Sequence, residues 1–164
     1  KKSSQVIRVG SGFEVHEFEK GDSIKLFGIK VPFNKKLKGH SDADVGLHAL
    51  TDAILGAIGK GDIGEHFPPS NLKWKNKSSE IFLLHSKKLM EEDGYKINNL
   101  DLTLICEKPK ITKYKTQFNK KISTLLNVKP QDVNVKATTT EKLGFLGRGE
   151  GIACHAIVTV SKNE

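Results

Sequence analysis

The feature that most constrains the fold is a strict alternation between Leu100 and Cys106. Leu100, Leu102, Leu104 and Cys106 fall on one side, and Asp101, Thr103 and Ile105 on the other, the period of a strand with one buried face. Further strand-like runs open at Val6, passing Gly10 and Gly12 toward His16, and cover residues 132–137 and 152–161. Helical patterns lie between them. Ser41 or Asp42 is placed to cap a helix whose apolar face uses Val45, Ala49, Ala53, Ile54, Ala57 and Ile58, stopping before Gly59. A second helix starts near Ser78 or Ser79 and ends at Gly94. A third covers residues 112–126, with Tyr114, Phe118, Ile122 and Leu125 as its buried stripe. Residues 24–27 and 29–33, parted at Gly28, read as a short hairpin arm, and residues 62–77 as a Gly/Pro-punctuated loop. The prediction is α+β with α/β-type layers: one domain over 1–164, a mixed sheet covered by helices, and loosely ordered ends at 1–5 and 162–164.

At 164 residues the chain is long enough to bury a core without disulfides. Cys106 and Cys154 both sit in apolar, strand-like segments and read as reduced thiols in a reducing compartment. No apolar run approaches the roughly 18 residues of a membrane span. The net charge of +8 comes almost wholly from Lys, since only Arg8 and Arg148 are Arg among 27 basic residues. A nucleic-acid surface normally uses the bidentate Arg fork and interleaved aromatics, so this charge reads as a solvated face that favours anionic small molecules. The chain begins at Lys1 rather than Met, as a fragment or processed form would, and offers no targeting segment.

Four clusters carry chemistry. Glu14 and His16 are two residues apart, so on a strand they share a face, and His48 arrives from a helix. One carboxylate and two imidazoles make three of the four positions of a Zn²⁺ site that keeps one position open. Asp44 and Asp52 each lie four residues from His48, within reach of the imidazole nitrogen that does not face the metal. Thr138, Thr139 and Thr140 follow a strand and offer hydroxyl and N–H donors to phosphate, with Glu141 suited to Mg²⁺. Asp62, Gly64 and Phe67 form a polar turn with an aromatic wall, suited to polyol hydroxyls, and Lys110 after Lys108-Pro109 offers an ammonium at a strand exit. Each cluster alone also has an ordinary reading, as a chance match, a β-turn, a helix exit or a surface Lys.

Taken in order, the motifs resemble a known family. Gly-Phe-Glu-Val-His at 12–16, His-Ser-Asp-Ala-Asp at 40–44 running on to His48 and Asp52, and Gly-Asp-Ile-Gly at 61–64 with Phe67-Pro68 come first. Lys-Pro-Lys at 108–110 and the run from Val135 to Ile152 follow. This pattern is similar to the 2-C-methyl-D-erythritol 2,4-cyclodiphosphate synthases of the non-mevalonate isoprenoid pathway, over nearly the whole chain.

The resemblance implies a homotrimer whose sites lie between subunits. It makes Glu14, His16 and His48 zinc ligands and puts His40 and Ser41 on substrate phosphates. Asp62 and Gly64 then hold the methylerythritol hydroxyls, with Phe67 alongside. Lys110, Thr138, Thr139 and backbone near Cys106 contact the cytidine diphosphate end, with Glu141 positioning Mg²⁺ or Mn²⁺ there. Glu141, Thr139 and Lys110 are the expected catalytic set. Phe13, Phe145, Arg148 and Glu150 approach the threefold axis, where an isoprenoid diphosphate is expected. The implied reaction is cyclisation of the cytidyl substrate with release of CMP, and its alternatives are a zinc-dependent nucleotide-diphosphate hydrolase or a basic nucleic-acid-binding module. No nucleic acid and no membrane are expected as partners. The pathway suits a bacterial cytoplasm or a plastid-type organelle (apicoplast or chloroplast). Three positions depart from the family pattern: Glu14 stands for the usual Asp, Pro69 follows Phe67-Pro68 where an Asp is common, and Cys106 replaces a small residue.

Overall fold

The two ends of the chain pair with each other. The computed structural model describes residues 4–164, and in it β1 (Gln5–Lys20) runs antiparallel to the last strand, from Gln5↔Asn163 to Glu17↔Gly151. The pairing reaches Gln5 and Asn163, inside the segments expected to be loosely ordered, and residues 1–3 lie outside the described part.

After β1 the chain forms the hairpin β2 (Ser23–Leu26) and β3 (Ile29–Pro32), then β4 (Lys35–Leu37) and α1 (Val45–Ala57). The short α2 (Ile63–His66), α3 (Ser79–Glu92), β5 (Lys96–Ile105) and α4 (Lys115–Leu126) follow. The chain closes with β6 (Val133–Thr138), the short α5 (Gly144–Gly147) and β7 (Gly151–Asn163). The main sheet has the order β4-β1-β7-β5-β6, with β5 and β6 parallel and the other pairs antiparallel. This is the mixed sheet and hairpin arm expected. Both central residues of the hairpin turn, Phe27 and Gly28, have positive φ (50° and 77°), the backbone of a type I′ turn.

Two glycines on β1 decide where α1 sits. A methyl group on Gly10 would lie 1.8 Å from the Ala53 carbonyl oxygen, and one on Gly12 1.9 Å from that of Ala49. Bare backbone on the strand and alanines on the helix let the two approach without side chains between them. The helix is buried over most of its surface, Leu47, Leu50 and Leu55 included, and not only on the single face expected; Asp52 is half-buried and Gly56 exposed. Leu102, Leu104, Phe27 and Phe118 fill the same core, each fully buried aliphatic or aromatic chain contributing about 1.5–3 kcal/mol.

Other expectations need correction. The cap of α1 is Asp44, since Ala43 turns through φ 56° and carries the chain past Ser41 and Asp42 before the first helical turn. The loop at 62–77 contains α2, capped by Asp62, and a 3₁₀ turn at Leu72–Trp74. A 3₁₀ turn at Thr112–Tyr114 precedes α4, so the buried stripe is Phe118, Ile122 and Leu126, spaced by four residues, and Leu125 is only partly buried. Among the described residues the helices cover one face of the sheet. On the other side Ile7, Val9, Phe13 and Ile157 are exposed, Val9 at 64% and Phe13 at 58%.

Candidate functional site

Glu14 and His16 alternate in phase with Gly10 and Gly12, so β1 presents them toward α1, whose first turn carries His48. The close approach at the glycines sets the distance between the two elements. His16 Nε2 and His48 Nδ1 are 3.3 Å apart, and Glu14 Oε2 is 3.9 Å from His48 Nδ1. One ligand atom from each of the three side chains lies within 4.8 Å of the others.

The outward nitrogens show how the imidazoles are poised. His16 Nδ1 faces the Lys38 carbonyl oxygen at 3.1 Å, which only accepts, so that nitrogen carries the proton. His48 Nε2 faces Ser79 Oγ at 2.7 Å, and Ser79 Oγ in turn donates to Asp42 Oδ1. A hydroxyl has one proton, so Ser79 accepts from His48 Nε2–H. Both rings then turn lone pairs toward each other across 3.3 Å, and only a cation between them makes that contact favourable. A tetrahedral ion with bonds of about 2.0–2.1 Å spaces its nitrogen ligands by about 3.3–3.4 Å. The residues fit a divalent metal.

Electrostatics point the same way. Burial first, and His16 second, push His48 down to about 4, so it stays neutral near pH 7. Burial raises the Glu14 carboxyl above its ordinary range, with His16 opposing, as expected of an acid waiting for a positive partner. The expectation that Asp44 or Asp52 holds His48 fails. Asp44 is spent on three backbone donors, Phe27 N (2.9 Å), Gly28 N (2.7 Å) and Leu47 N (3.0 Å), while Asp52 accepts from Ile63 N at 2.7 Å. Both carboxylates serve backbone N–H groups of chain turns nearby. Ser79, 31 residues away on α3, takes the place expected of them.

The triad opens into a pocket that also takes in His40, Ser41, Gly64 and Phe67, together with Trp74 and Phe82. Phe67 is buried against both of these rings, with centroids at 4.8 and 4.4 Å. Ser41 Oγ lies 3.2 Å from His48 Nε2. Asp62 acts as a helix cap: its side chain accepts from Glu65 N at 2.9 Å, and Ile63 and Gly64 line the pocket beside it.

The remaining expected residues form other groups within this chain. Cys106 N donates to Thr138 O at 3.1 Å, joining the exits of β5 and β6. Beyond them Glu107, which opens the Glu107–Lys110 cluster but has no expected role there, clamps the threonine loop by accepting from Thr140 N (3.0 Å) and Lys142 N (3.2 Å), and Thr139 Oγ accepts from Glu141 N. That clamp holds Glu141 and Lys142 at positive φ. Lys110 lines a separate depression with Pro109 and Tyr114, and Phe145 and Arg148 another with Val15 and Lys35. None of Lys110, Cys106, Thr138, Thr139, Glu141, Phe145 or Arg148 lines the triad pocket. Ser79 carries no motif signal, and the part Glu107 plays is not legible from its cluster, because each acts across a long stretch of sequence.

Comparison with known proteins agrees with this geometry. The model of the YgbB family matches residues 7–161. The bifunctional enzyme IspD/IspF of Erythrobacter litoralis is 54% identical over 158 residues, 96% of this chain and 41% of that protein. The chain thus spans about two fifths of the bifunctional relatives it matches. The solved bifunctional IspDF of Campylobacter jejuni superposes with a TM-score of 0.93 at 42% identity, over 97% of this chain and 43% of that one. The IspF of Plasmodium falciparum, solved as a CDP complex, gives 0.83 at 36% identity over 94% and 95% of the two chains. By its motifs, its fold and these matches, the chain belongs to the YgbB family, that of the 2C-methyl-D-erythritol-2,4-cyclodiphosphate synthases.

Proposed function

We propose that this chain cyclises 4-diphosphocytidyl-2-C-methyl-D-erythritol 2-phosphate to 2-C-methyl-D-erythritol 2,4-cyclodiphosphate with release of CMP. The observation that carries the reading is the convergence of two imidazole lone pairs and a carboxylate on one point of a pocket, in a member of this family. The similar Plasmodium falciparum protein in its CDP complex supports a cytidine diphosphate end to the substrate.

In this reading an oxygen of the 2-phosphate attacks the β-phosphorus, the bond from that phosphorus to the CMP oxygen breaks, and its electron pair leaves with CMP. No protein nucleophile is required, so the work of the chain is to fold a polyanion back on itself. Positioning of that kind recovers about 7–11 kcal/mol of a barrier at best. Glu14, His16 and His48 would hold Zn²⁺, which when bound supplies positive charge that offsets the negative charge of the substrate phosphates. His40 and Ser41 bind phosphate at the pocket mouth, Asp62 and Gly64 the polyol, and Phe67 walls the site. Lys110, Thr138, Thr139 and the Cys106 backbone would take the nucleotide end, and Glu141 would hold Mg²⁺ or Mn²⁺, which supplies positive charge to that end when bound.

Because the nucleotide group and the triad pocket are separate within one chain, the reading also takes a homotrimer in which one subunit's threonine loop meets its neighbour's triad. The open apolar sheet face with Ile7, Val9, Phe13 and Ile157 supports that assembly. Phe13, Phe145, Arg148 and Glu150 are then the residues to meet an isoprenoid diphosphate on the axis. No helix among the described residues is long and apolar enough to cross a membrane, and the bacterial bifunctional relatives favour a bacterial cytoplasm over a plastid-type organelle.

The test is incubation of the chain with the cytidyl substrate and Mg²⁺, followed by phosphorus spectroscopy. Equimolar CMP and cyclic diphosphate are expected. A ring-free phosphate product would make the chain a hydrolase instead.

A further inference from the structure

We infer that Ser79, held by Asp42, is a positioning residue that fixes the tautomer and the direction of His48. The inference rests on the metal reading of the triad. Ser79 is fully buried at the start of α3, and its Oγ stands between His48 Nε2 and the Asp42 carboxylate. Asp42 is anchored from several sides: it accepts from Ser79 N at 3.1 Å and Asp44 N at 3.2 Å, and Lys25 Nζ lies 3.7 Å from it. A carboxylate only accepts, so the single proton of Ser79 is committed to Asp42. The hydroxyl then has only lone pairs to offer the imidazole, and the ring proton must sit on Nε2.

Two consequences follow. Nδ1 keeps its lone pair and aims it at the point shared with His16 Nε2 and Glu14. Ser41, the second hydroxyl near Nε2 at 3.2 Å, is relieved of orienting the ring and is free to donate into the pocket it lines. Partners of this kind typically change metal affinity by about 10–100-fold when lost. The chain from Asp42 through Ser79 to His48 also ties the His-Ser-Asp turn, α1 and α3 into one unit behind the site.

The test uses the full chain, stripped of metal by a chelator and titrated with Zn²⁺ against a competing dye, with the unfolding midpoint of each apo variant recorded. Long-range proton–nitrogen correlation spectra of the apo parent should show His48 protonated at Nε2. Ser79→Ala should weaken zinc binding by about 10–100-fold at a little-changed apo midpoint, Ser79→Thr should restore most of it, and Asp42→Asn should weaken it in the same direction. His48 protonated at Nδ1 in the parent, or parental zinc affinity in both Ser79→Ala and Asp42→Asn, would overturn the inference. A parent that binds no zinc yet shows the Nε2 proton would instead overturn the metal reading on which it stands.

Discussion

Gly12 faces the carbonyl of Ala49 with no room for a methyl group, the oxygen lying 1.9 Å from where the Cβ would be. Since Glu14 and His16 follow on the same strand and His48 precedes Ala49, this contact sets the spacing of the triad. Gly12→Ala should push α1 from the sheet and cost about 1–3 kcal/mol, at the upper end because backbone is the obstacle. Zinc affinity should fall by about tenfold or more, as ligand distances tolerate only about 0.2 Å. Denaturant melts and zinc titration check both.

Asp44 concerns the frame of the site and not its chemistry. Asn can still accept from Phe27 N and Leu47 N through one oxygen, but its amide nitrogen would face Gly28 N, donor against donor. Asp44→Asn should therefore cost about 1–3 kcal/mol at pH 7.5 in urea melts.

The same residue gives a pH dependence. Burial pushes the Asp44 carboxyl up to about 7 from 3.8, outweighing its N–H donors. The folded chain then keeps a proton that the unfolded chain has released between those values, so this group's contribution falls as pH rises from about 4 to 7. The stability profile of Asp44→Asn, subtracted from that of the parent, should show that fall. A difference that rises with pH would contradict it.

Burial raises both thiols, Cys106 to about 11 and Cys154 further, and removes them from solvent. The thiolate is the reactive form, so neither should react appreciably with iodoacetamide at pH 8 in the folded protein. Both should be alkylated within minutes once unfolded, as read by intact mass.

What is legible in the sequence is written in short-range periodicity. The two-residue spacing of Glu14 and His16 and the phase of the helix carrying His48 are enough to give the three side chains a common direction. Asp44 and Asp52 mislead, because spacing on a helix says who can reach the imidazole and not which backbone donors compete for the carboxylate. Ser79 is hidden for the opposite reason: nothing local marks a serine that meets its histidine across two helices. The uncovered sheet face is equally silent, since apolar Ile7, Val9 and Phe13 look the same in sequence whether a helix or another chain is to cover them.

The most direct measurement is X-ray absorption at the zinc edge on chelator-stripped chain reloaded with one equivalent of Zn²⁺. Full uptake is expected, with a first shell of light N/O atoms at about 2.0–2.1 Å and the scattering of two imidazoles, lost in His16→Ala and His48→Ala. Zinc left unbound, or a spectrum unchanged by those substitutions, would contradict a metal held by this triad.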